Sequence, residues 1–138
     1  MTFSLMGTAQ MKVSETTKSE TIGEYKLFGQ SYAEISKINE TCAFTYRDEK
    51  FTRLDSYKTF YFTYDDIDLL YGMFTNFEGI EKDAEKKVEL EDGGRLYFTY
   101  KKMLGKMYAD VVHIDKAGVA GKIRYLTEKQ LKKLFGKE

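Results

Sequence analysis

The chain has 138 residues, enough for one folded domain with a single core but not for two independent domains. Its 22 basic and 22 acidic side chains cancel to a formal net charge of zero, so no overall field draws it to nucleic acid or to an anionic membrane. The single cysteine, Cys42, excludes an internal disulfide framework. Since His113 is the only histidine, a monomer cannot assemble the usual nitrogen and sulfur metal sites, and we predict no metal and no cofactor.

Aromatic composition favours a strand-rich fold. The chain has 11 tyrosines and 10 phenylalanines but no tryptophan and no proline, and aromatic side chains suit a pleated, half-buried surface. Hydrophobic residues make up 42% and charged residues 32% of the chain, proportions that are typical of a globular domain. No apolar stretch approaches the ~20 residues that cross a bilayer, so we predict no transmembrane segment.

Residues 1–10, MTFSLMGTAQ, differ from the rest of the chain because they are uncharged, apolar in the middle and small up to Ala9. They resemble the end of a secretory signal peptide, with a mature chain of the exported bacterial type that begins near Gln10. We therefore expect export to the periplasm or the extracellular space. The alternative is a disordered N-terminus on a cytoplasmic protein. The folded domain is assigned to residues 11–138.

Short strand-like runs separated by turn signals follow a polar lead-in at 11–21, which is either an arm or a weak first strand. The candidate strands are 22–28, 31–38, 41–48, 50–54 and 57–62 in the first half and 86–91, 95–102, 106–114 and 119–126 in the second. The clearest hairpin signals are Asp92-Gly93-Gly94 and Leu104-Gly105, because glycine supplies the positive φ that a tight turn requires.

Each half ends in a predicted helix with a capping signal. Thr63 is followed three residues later by Asp66, and Thr127 by Gln130, which is the spacing of a capping box. Apolar residues then recur at helical spacing, so each helix has one stripe that must be buried. These stripes are Ile67, Leu70, Tyr71 and Phe74 in the first helix and Leu131, Leu134 and Phe135 in the second.

Two pairs of segments echo each other along the chain. FYFTYDDIDLLYG at 60–72 matches RYLTEKQLKKLFG at 124–136, and AFTYR at 43–47 matches YFTYK at 97–101. Self-similarity in a fixed order is typical of a duplicated structural unit.

We therefore predict a single α+β domain, a tandem ββββα duplication with an antiparallel sheet of about eight strands and two helices packed on one face. The two halves span residues 22–79 and 80–138. This layout resembles the pseudo-duplicated sheet-and-helix arrangements of TATA-binding proteins and of secreted β-lactamase inhibitor proteins. The chain contains no motif of either family, so the resemblance implies no functional residue.

Charge is unevenly distributed along the chain. Residues 63–92 hold ten acidic and three basic residues, a net charge of −7, whereas residues 119–138 hold six basic and two acidic residues, a net charge of +4. We interpret the two regions as solvated faces that attract each other. The alternative is a pair of dedicated binding patches.

No combination of residues forms a clear catalytic site, and we lean against an enzyme. Cys42 lies in a strand-like run and is interpreted as a buried small hydrophobe rather than a reactive thiol. His113 has no partnered nucleophile. The cluster Asp65-Asp66-x-Asp68 lacks the ligand spacing of a calcium loop and lies at a predicted helix start, where the helix dipole favours acidic residues.

The exposed sheet face is the predicted working surface. Alternation buries Cys42, Phe44 and Tyr46 in one strand and Leu96, Phe98 and Tyr100 in another. The opposite face and its surroundings give the candidate binding residues Tyr97, Thr99, Lys101, Tyr61 and Tyr108. Tyrosine is favoured at interfaces because it combines a large contact area with a polar tip. The alternative is that these tyrosines pack against another segment of the chain.

As function, we predict a non-catalytic binding or interaction module that acts through this aromatic-rich sheet face. The alternative is a carrier that holds a small apolar ligand between sheet and helices. The expected partner is therefore a protein or a small apolar ligand. Nucleic acid is disfavoured because the chain lacks the basic excess that accompanies aromatic platforms for single strands.

Overall fold

The computed structural model describes residues 19–49 and 56–138, which form eight strands and two helices. The strands are β1 (Glu20–Leu27), β2 (Gln30–Ile38), β3 (Thr41–Arg47), β4 (Tyr57–Thr63), β5 (Glu85–Glu89), β6 (Arg95–Met103), β7 (Lys106–Ile114) and β8 (Ala120–Ile123). The helices are α1 (Ile67–Thr75), which follows a 3₁₀ turn at Tyr64–Asp66, and α2 (Glu128–Leu134). The predicted strand at 50–54 and the predicted signal segment at 1–10 lie outside the described residues.

Two antiparallel sheets contain these strands, in the orders β1-β2-β3-β4 and β5-β6-β7-β8. A helix follows each sheet along the chain, so the predicted α+β fold with a tandem ββββα arrangement is confirmed. The strands fall into two sheets of four rather than one continuous sheet. The physical reason is the connection at 64–84, which leads the chain through α1 and leaves β4 and β5 unpaired with each other.

The two sequence echoes have different structural origins. The long echo falls on equivalent elements, since 60–72 runs from β4 into α1 and 124–136 runs from the end of β8 through α2. The short echo does not, because 43–47 lies in the third strand of its sheet and 97–101 in the second strand of the other. Both strands are central and buried on one face, and this shared environment accounts for their similar composition.

Alternation along the central strands places their aromatic residues in the core, as predicted. Phe44 and Tyr46 on β3 and Phe98 and Tyr100 on β6 are all fully buried. Cross-strand pairing extends these rows, and Phe44 lies opposite Phe60 with ring centroids 4.8 Å apart. Such pairs are the unit of sheet stabilisation, so each sheet presents one continuous apolar face to the interior.

Tight turns with positive φ at both central residues join two of the hairpins. Leu104 and Gly105 have φ of 52° and 79°, and Phe28 and Gly29 have φ of 53° and 76°. Their backbone twist matches that of the flanking strands, which is why this turn is common in two-residue hairpins. The predicted Leu104-Gly105 hairpin is therefore confirmed.

Only the second of the two predicted capping boxes forms. The Thr127 hydroxyl accepts a bond of 3.2 Å from the Gln130 backbone N–H, and the Gln130 side chain accepts one of 2.9 Å from the Thr127 N–H. At the first helix the Thr63 hydroxyl instead donates to the Asp66 carboxylate at 3.0 Å and caps no backbone N–H. The aspartate is one methylene shorter than the glutamate or glutamine of a capping box, and the chain enters a 3₁₀ turn before α1.

Each helix packs on the sheet that belongs to the other half of the chain. Helix α1 follows the first sheet but lies against β7, and α2 follows the second sheet but lies against β1 and β2. The approach of α2 to β1 is close enough that a Cβ at Gly23 would overlap the carbonyl oxygens of Lys133 and Leu134. The absence of a side chain at Gly23 therefore allows this contact.

One aromatic core joins both sheets and both helices. The ring of Phe74 on α1 lies 6.2 Å from Phe44 of the first sheet, 5.1 Å from Phe98 of the second and 5.9 Å from Phe135 at the end of α2. Most of each predicted helix stripe is thus buried, with Leu134 fully inaccessible to solvent, whereas Ile67 and Tyr71 are partly buried against this core. Within the described residues, neither helix has the length and apolar character required to cross a membrane.

Candidate functional site

Four of the five predicted binding residues lie together on the outer face of the second sheet. Tyr97, Thr99 and Lys101 alternate along β6, and Tyr108 on β7 lies directly opposite Lys101. Tyr61 lies on β4 of the other sheet, where 52% of its surface is exposed. The structure therefore groups four of the residues and separates Tyr61 from them.

Contacts between neighbouring side chains occupy much of this outer face. The Arg95 Nε donates a hydrogen bond of 3.2 Å to the Tyr97 hydroxyl. The ring of Tyr108 packs edge-on against Tyr125, with centroids 5.0 Å apart. Tyr97 and Tyr108 are only partly exposed, so the face offers less free aromatic surface than the sequence suggests.

A second candidate site is a groove of about 410 Å³ where the first sheet, helix α1 and the second sheet converge. We call it the β4–α1–β5 groove. Residues 60–63 of β4 form one side, residues 88–92 of β5 and its hairpin form another, and α1 closes the third. Its volume lies within the range of roughly 300–1,000 Å³ that is typical of ligand clefts. Tyr61 is the predicted binding residue that lines it.

Apolar side chains form the interior of the groove. Phe60, Leu70 and Leu96 reach it from β4, α1 and β6 and are otherwise buried in the core. Met73 adds a flexible thioether chain, a group that adapts to irregular apolar partners. Leu69 is 67% exposed, because it lies beside the buried stripe of α1 rather than within it. Leu69 therefore extends the apolar lining of the groove to the solvent.

Carboxylates surround this apolar interior. The groove is lined by Asp66, Glu89, Glu91 and Asp92 and, within the described chain, by no lysine, arginine or histidine. Three of these carboxylates have local partners. Asp66 accepts a bond of 3.0 Å from the Thr63 hydroxyl, Glu89 lies 3.4 Å from the half-exposed Lys87 ammonium, and Asp92 accepts a bond of 2.8 Å from the Gly94 N–H. The groove therefore combines an apolar interior with a negatively charged rim. The electric field of the rim carboxylates extends over a Debye length of about 8 Å in physiological salt.

The backbone of β5 has free hydrogen-bonding groups next to the groove. In an antiparallel pair, successive residues direct their N–H and C=O alternately toward the partner strand and away from it. The bond from the Leu90 N–H to the Gly94 carbonyl, at 2.9 Å, fixes the even-numbered residues of β5 as those bonded to β6. The N–H and C=O of Lys87 and Glu89 consequently point away from β6, toward an edge with no strand partner among the described residues.

On the opposite side of the groove, β4 also has backbone groups that point away from its neighbouring strand, β3. The bond from the Tyr64 N–H to the Glu40 carbonyl, at 2.8 Å, continues the β3–β4 ladder and fixes even-numbered residues of β4 as those bonded to β3. The backbone groups of Tyr61 and Thr63 therefore point outward. As far as the structure describes the chain, two strand edges without a partner strand therefore flank one apolar groove. Such edges are templates for pairing with another chain.

The only histidine and the only cysteine of the chain lie in the core rather than in the groove. The Tyr46 hydroxyl lies 2.7 Å from His113 Nδ1, and both residues are almost inaccessible to solvent. Burial lowers the pKa of His113 and raises the pKa of Tyr46, so both groups are neutral at neutral pH. Burial likewise raises the pKa of the Cys42 thiol. These groups fit the predicted structural roles.

The described residues contain no group of three or more histidine, cysteine, aspartate or glutamate side chains that could hold a metal ion. The chemistry available at the groove is therefore that of carboxylates, hydroxyls and apolar contact. No protein family, curated protein or solved structure matches the chain.

Sequence reasoning missed the groove although one of its signals was visible. All four rim carboxylates belong to the acidic region at 63–92, which we interpreted as a solvated face attracted to the basic C-terminus. That attraction exists, since the Lys137 ammonium lies 2.6 Å from the Asp68 carboxylate. Asp66 and the acids at 89–92, however, point to the groove instead. Their convergence depends on the separation of β4 from β5, which local sequence patterns do not reveal.

Proposed function

We propose that this protein is a non-catalytic binding module whose site is the β4–α1–β5 groove. Its occupant carries an apolar body and positive charge. The observation that carries this proposal is an apolar interior of about 410 Å³ whose lining, among residues 19–49 and 56–138, includes four carboxylates and no basic side chain. The apolar part of the occupant gains free energy by leaving water, and the cationic part is drawn to the rim.

The groove is a better candidate than the outer face of the second sheet, which remains the site predicted from sequence alone. Binding sites are usually concave, because a concave surface removes more of the ligand from water than a sheet face does. The tyrosines of the sheet face are partly buried against neighbours, whereas Leu69 and Tyr61 at the groove are 67% and 52% exposed. The groove is consistent with the alternative predicted from sequence, a small apolar ligand held between sheet and helices. The carboxylates of the rim add a preference for a positively charged ligand.

A matched pair of small probes tests this proposal. 4-Phenylbutylamine and 4-phenylbutyrate share an apolar body and carry opposite charges, so their relative affinities, measured by NMR titration, report the sign of the rim. We expect only the amine to perturb groove residues such as Leu69 and Glu91. Raising the salt concentration should weaken its binding, because the rim is exposed to solvent.

Two leucine substitutions separate groove binding from general hydrophobic adsorption. Leu69→Asn removes an exposed apolar side chain from the groove, whereas Leu104→Asn removes one that is 95% exposed at a hairpin tip outside it. The first variant should bind the amine several-fold more weakly and the second should bind it as the parent does. Equal binding of amine and acid, or equal effects of the two substitutions, would contradict the proposal.

A further inference from the structure

We propose that the occupant of the β4–α1–β5 groove is an extended polypeptide segment that adds to β5 as a fifth strand, with apolar and basic residues in alternation. This inference rests on the groove being a binding site and specifies the class of partner. It commits to a peptide backbone, which a small amphiphile lacks. The mode is strand addition, in which main-chain hydrogen bonds supply affinity and alternate side chains supply specificity.

The free edge of β5 supplies the main-chain part of this recognition. Lys87 and Glu89 direct their N–H and C=O groups away from β6, and the described chain provides no strand to pair with them. A segment that pairs there lies alongside the apolar interior formed by Leu69 and Leu70. Backbone pairing and apolar burial can therefore occur in one bound conformation.

The edge of β8 shows what a covered edge looks like in this fold. The outward N–H of Lys122 donates to the Asp48 carboxylate at 3.0 Å, and the outward carbonyl of Lys122 accepts from the Glu49 N–H at 2.9 Å. The chain thus satisfies an outward-facing residue of β8 with its own groups. Within residues 19–49 and 56–138, Lys87 and Glu89 receive no such backbone partner. The contrast favours an external partner at β5.

Charge on the edge selects the partner sequence. Successive side chains of a strand point to opposite faces, so alternate residues of the added segment enter the apolar interior while the others face solvent near the rim. Glu89, Glu91 and Asp92 follow one another around the end of β5 and its hairpin. Lysine or arginine at the rim positions complements them, whereas acidic residues are repelled. β5 also carries Lys86 and Lys87, and the Lys87 ammonium lies 3.4 Å from Glu89, so the preference for basic residues comes from the carboxylates at the hairpin end of the edge.

A labelled peptide of sequence KVKVKVK is the probe, and its binding is followed by fluorescence anisotropy. The same peptide with N-methyl groups on alternate residues keeps its side chains but loses main-chain donors on one edge. Both N-methyl registers are made so that each edge is tested. We expect the parent peptide to bind and one N-methylated register to bind roughly tenfold more weakly, because main-chain bonds are lost. The peptide EVEVEVE should not bind.

Two protein variants test the same main-chain hydrogen bonding by changing β5 instead of the peptide. Glu89→Pro and Glu89→Thr both remove the carboxylate, but only proline removes the outward N–H, and neither breaks a bond to β6. We expect the proline variant to bind KVKVKVK roughly tenfold more weakly than the threonine variant. Circular dichroism checks that both variants are folded. If the proline variant is unfolded, the N-methylated peptides, measured on the unmodified protein, test whether main-chain bonds contribute to binding.

The outcomes separate this inference from the proposed function. Peptide binding that is insensitive to N-methylation in both registers and equal for the two Glu89 variants overturns strand addition. Binding of 4-phenylbutylamine without binding of KVKVKVK also overturns it, while the groove stands as a small-molecule site. Failure of both the amine and the peptide overturns the proposed function as well.

Discussion

Buried polar side chains connect the two sheets at the residue scale. The Tyr46 hydroxyl of the first sheet meets His113 Nδ1 of the second at 2.7 Å, and the rings lie 5.7 Å apart in an edge-on arrangement. The buried Asp48 carboxylate, which lies 2.8 Å from the Lys58 ammonium, also accepts a bond of 3.0 Å from the Lys122 N–H of the second sheet. Buried polar groups cost free energy unless they are bonded, so these contacts specify how the sheets are placed against each other.

Acidification should weaken the fold through His113. Burial is the largest influence on its pKa and lowers it below the ordinary 6.5, and Lys58 acts in the same direction against Asp115 and Asp92. The unfolded chain therefore binds a proton that the folded chain does not, once the pH falls below about 6.5. The contribution of His113 to stability is complete above that pH and declines toward its lower folded pKa.

We expect His113→Gln to lose less unfolding free energy than the parent between pH 7.5 and pH 5.5, measured by urea denaturation. The difference can reach about 1.4 kcal/mol for each pH unit over which only the unfolded histidine is protonated. Other titrating groups are common to both proteins, so the comparison isolates His113. Parallel pH profiles for parent and variant would show that the histidine does not titrate differently on folding.

At the scale of single elements, the two helix N-termini differ in how their capping residues are used. Thr127 and Gln130 satisfy each other's backbone N–H groups in a complete box. Thr63 and Asp66 bond only through their side chains, and Thr63 caps no backbone N–H. The first threonine therefore contributes less to its helix than the second.

Thr127→Ala should lower the unfolding free energy by about 1 kcal/mol because an orphaned N–H loses its acceptor. Thr63→Ala should lower it by no more than about 0.5 kcal/mol, as expected for an exposed site away from a cap. Urea denaturation of the two variants under identical conditions gives both values. Equal losses of unfolding free energy would contradict the expected difference between the two helix N-termini.

Sequence patterns predicted elements well because they depend on local burial. The alternation that buries Phe44 and Phe98 follows from a period of two along a half-buried strand, and the helical stripe that ends at Phe135 follows from a period near 3.6. The division into two sheets depends on which strands pair across the chain, and alternation does not encode pairing partners. The groove is a consequence of that division. The expectation that Tyr61 lies near Tyr97 was therefore wrong, because the two residues belong to different sheets.

At the scale of the molecule, the exchanged helices make each half depend on the other. Helix α1 is covalently part of the first half but lies on β7, and α2 is part of the second half but lies on β1 and β2. The rings of Phe74 and Phe135, which belong to different helices, pack 5.9 Å apart in the shared core. Each half alone would expose the apolar surface that the other half's helix covers.

We expect that fragments 1–79 and 80–138 each lack a cooperative unfolding transition, whereas an equimolar mixture recovers one. Circular dichroism with urea titration provides the measurement. The substitution Leu134→Asp in the second fragment is the control, because Leu134 is fully buried where α2 meets the core. It should abolish recovery. Cooperative unfolding of either fragment alone would contradict the interdependence of the halves.

In the proposed complex, an extended segment occupies the β4–α1–β5 groove and pairs with β5. Amide hydrogen exchange, measured by NMR with and without saturating KVKVKVK, tests it most directly. The amides of Lys86 and Val88 already bond to β6 and serve as internal controls. We expect exchange of the Lys87 and Glu89 amides to slow by roughly tenfold or more on binding, while exchange of those controls changes little. Saturated binding that leaves Lys87 and Glu89 unprotected would contradict it.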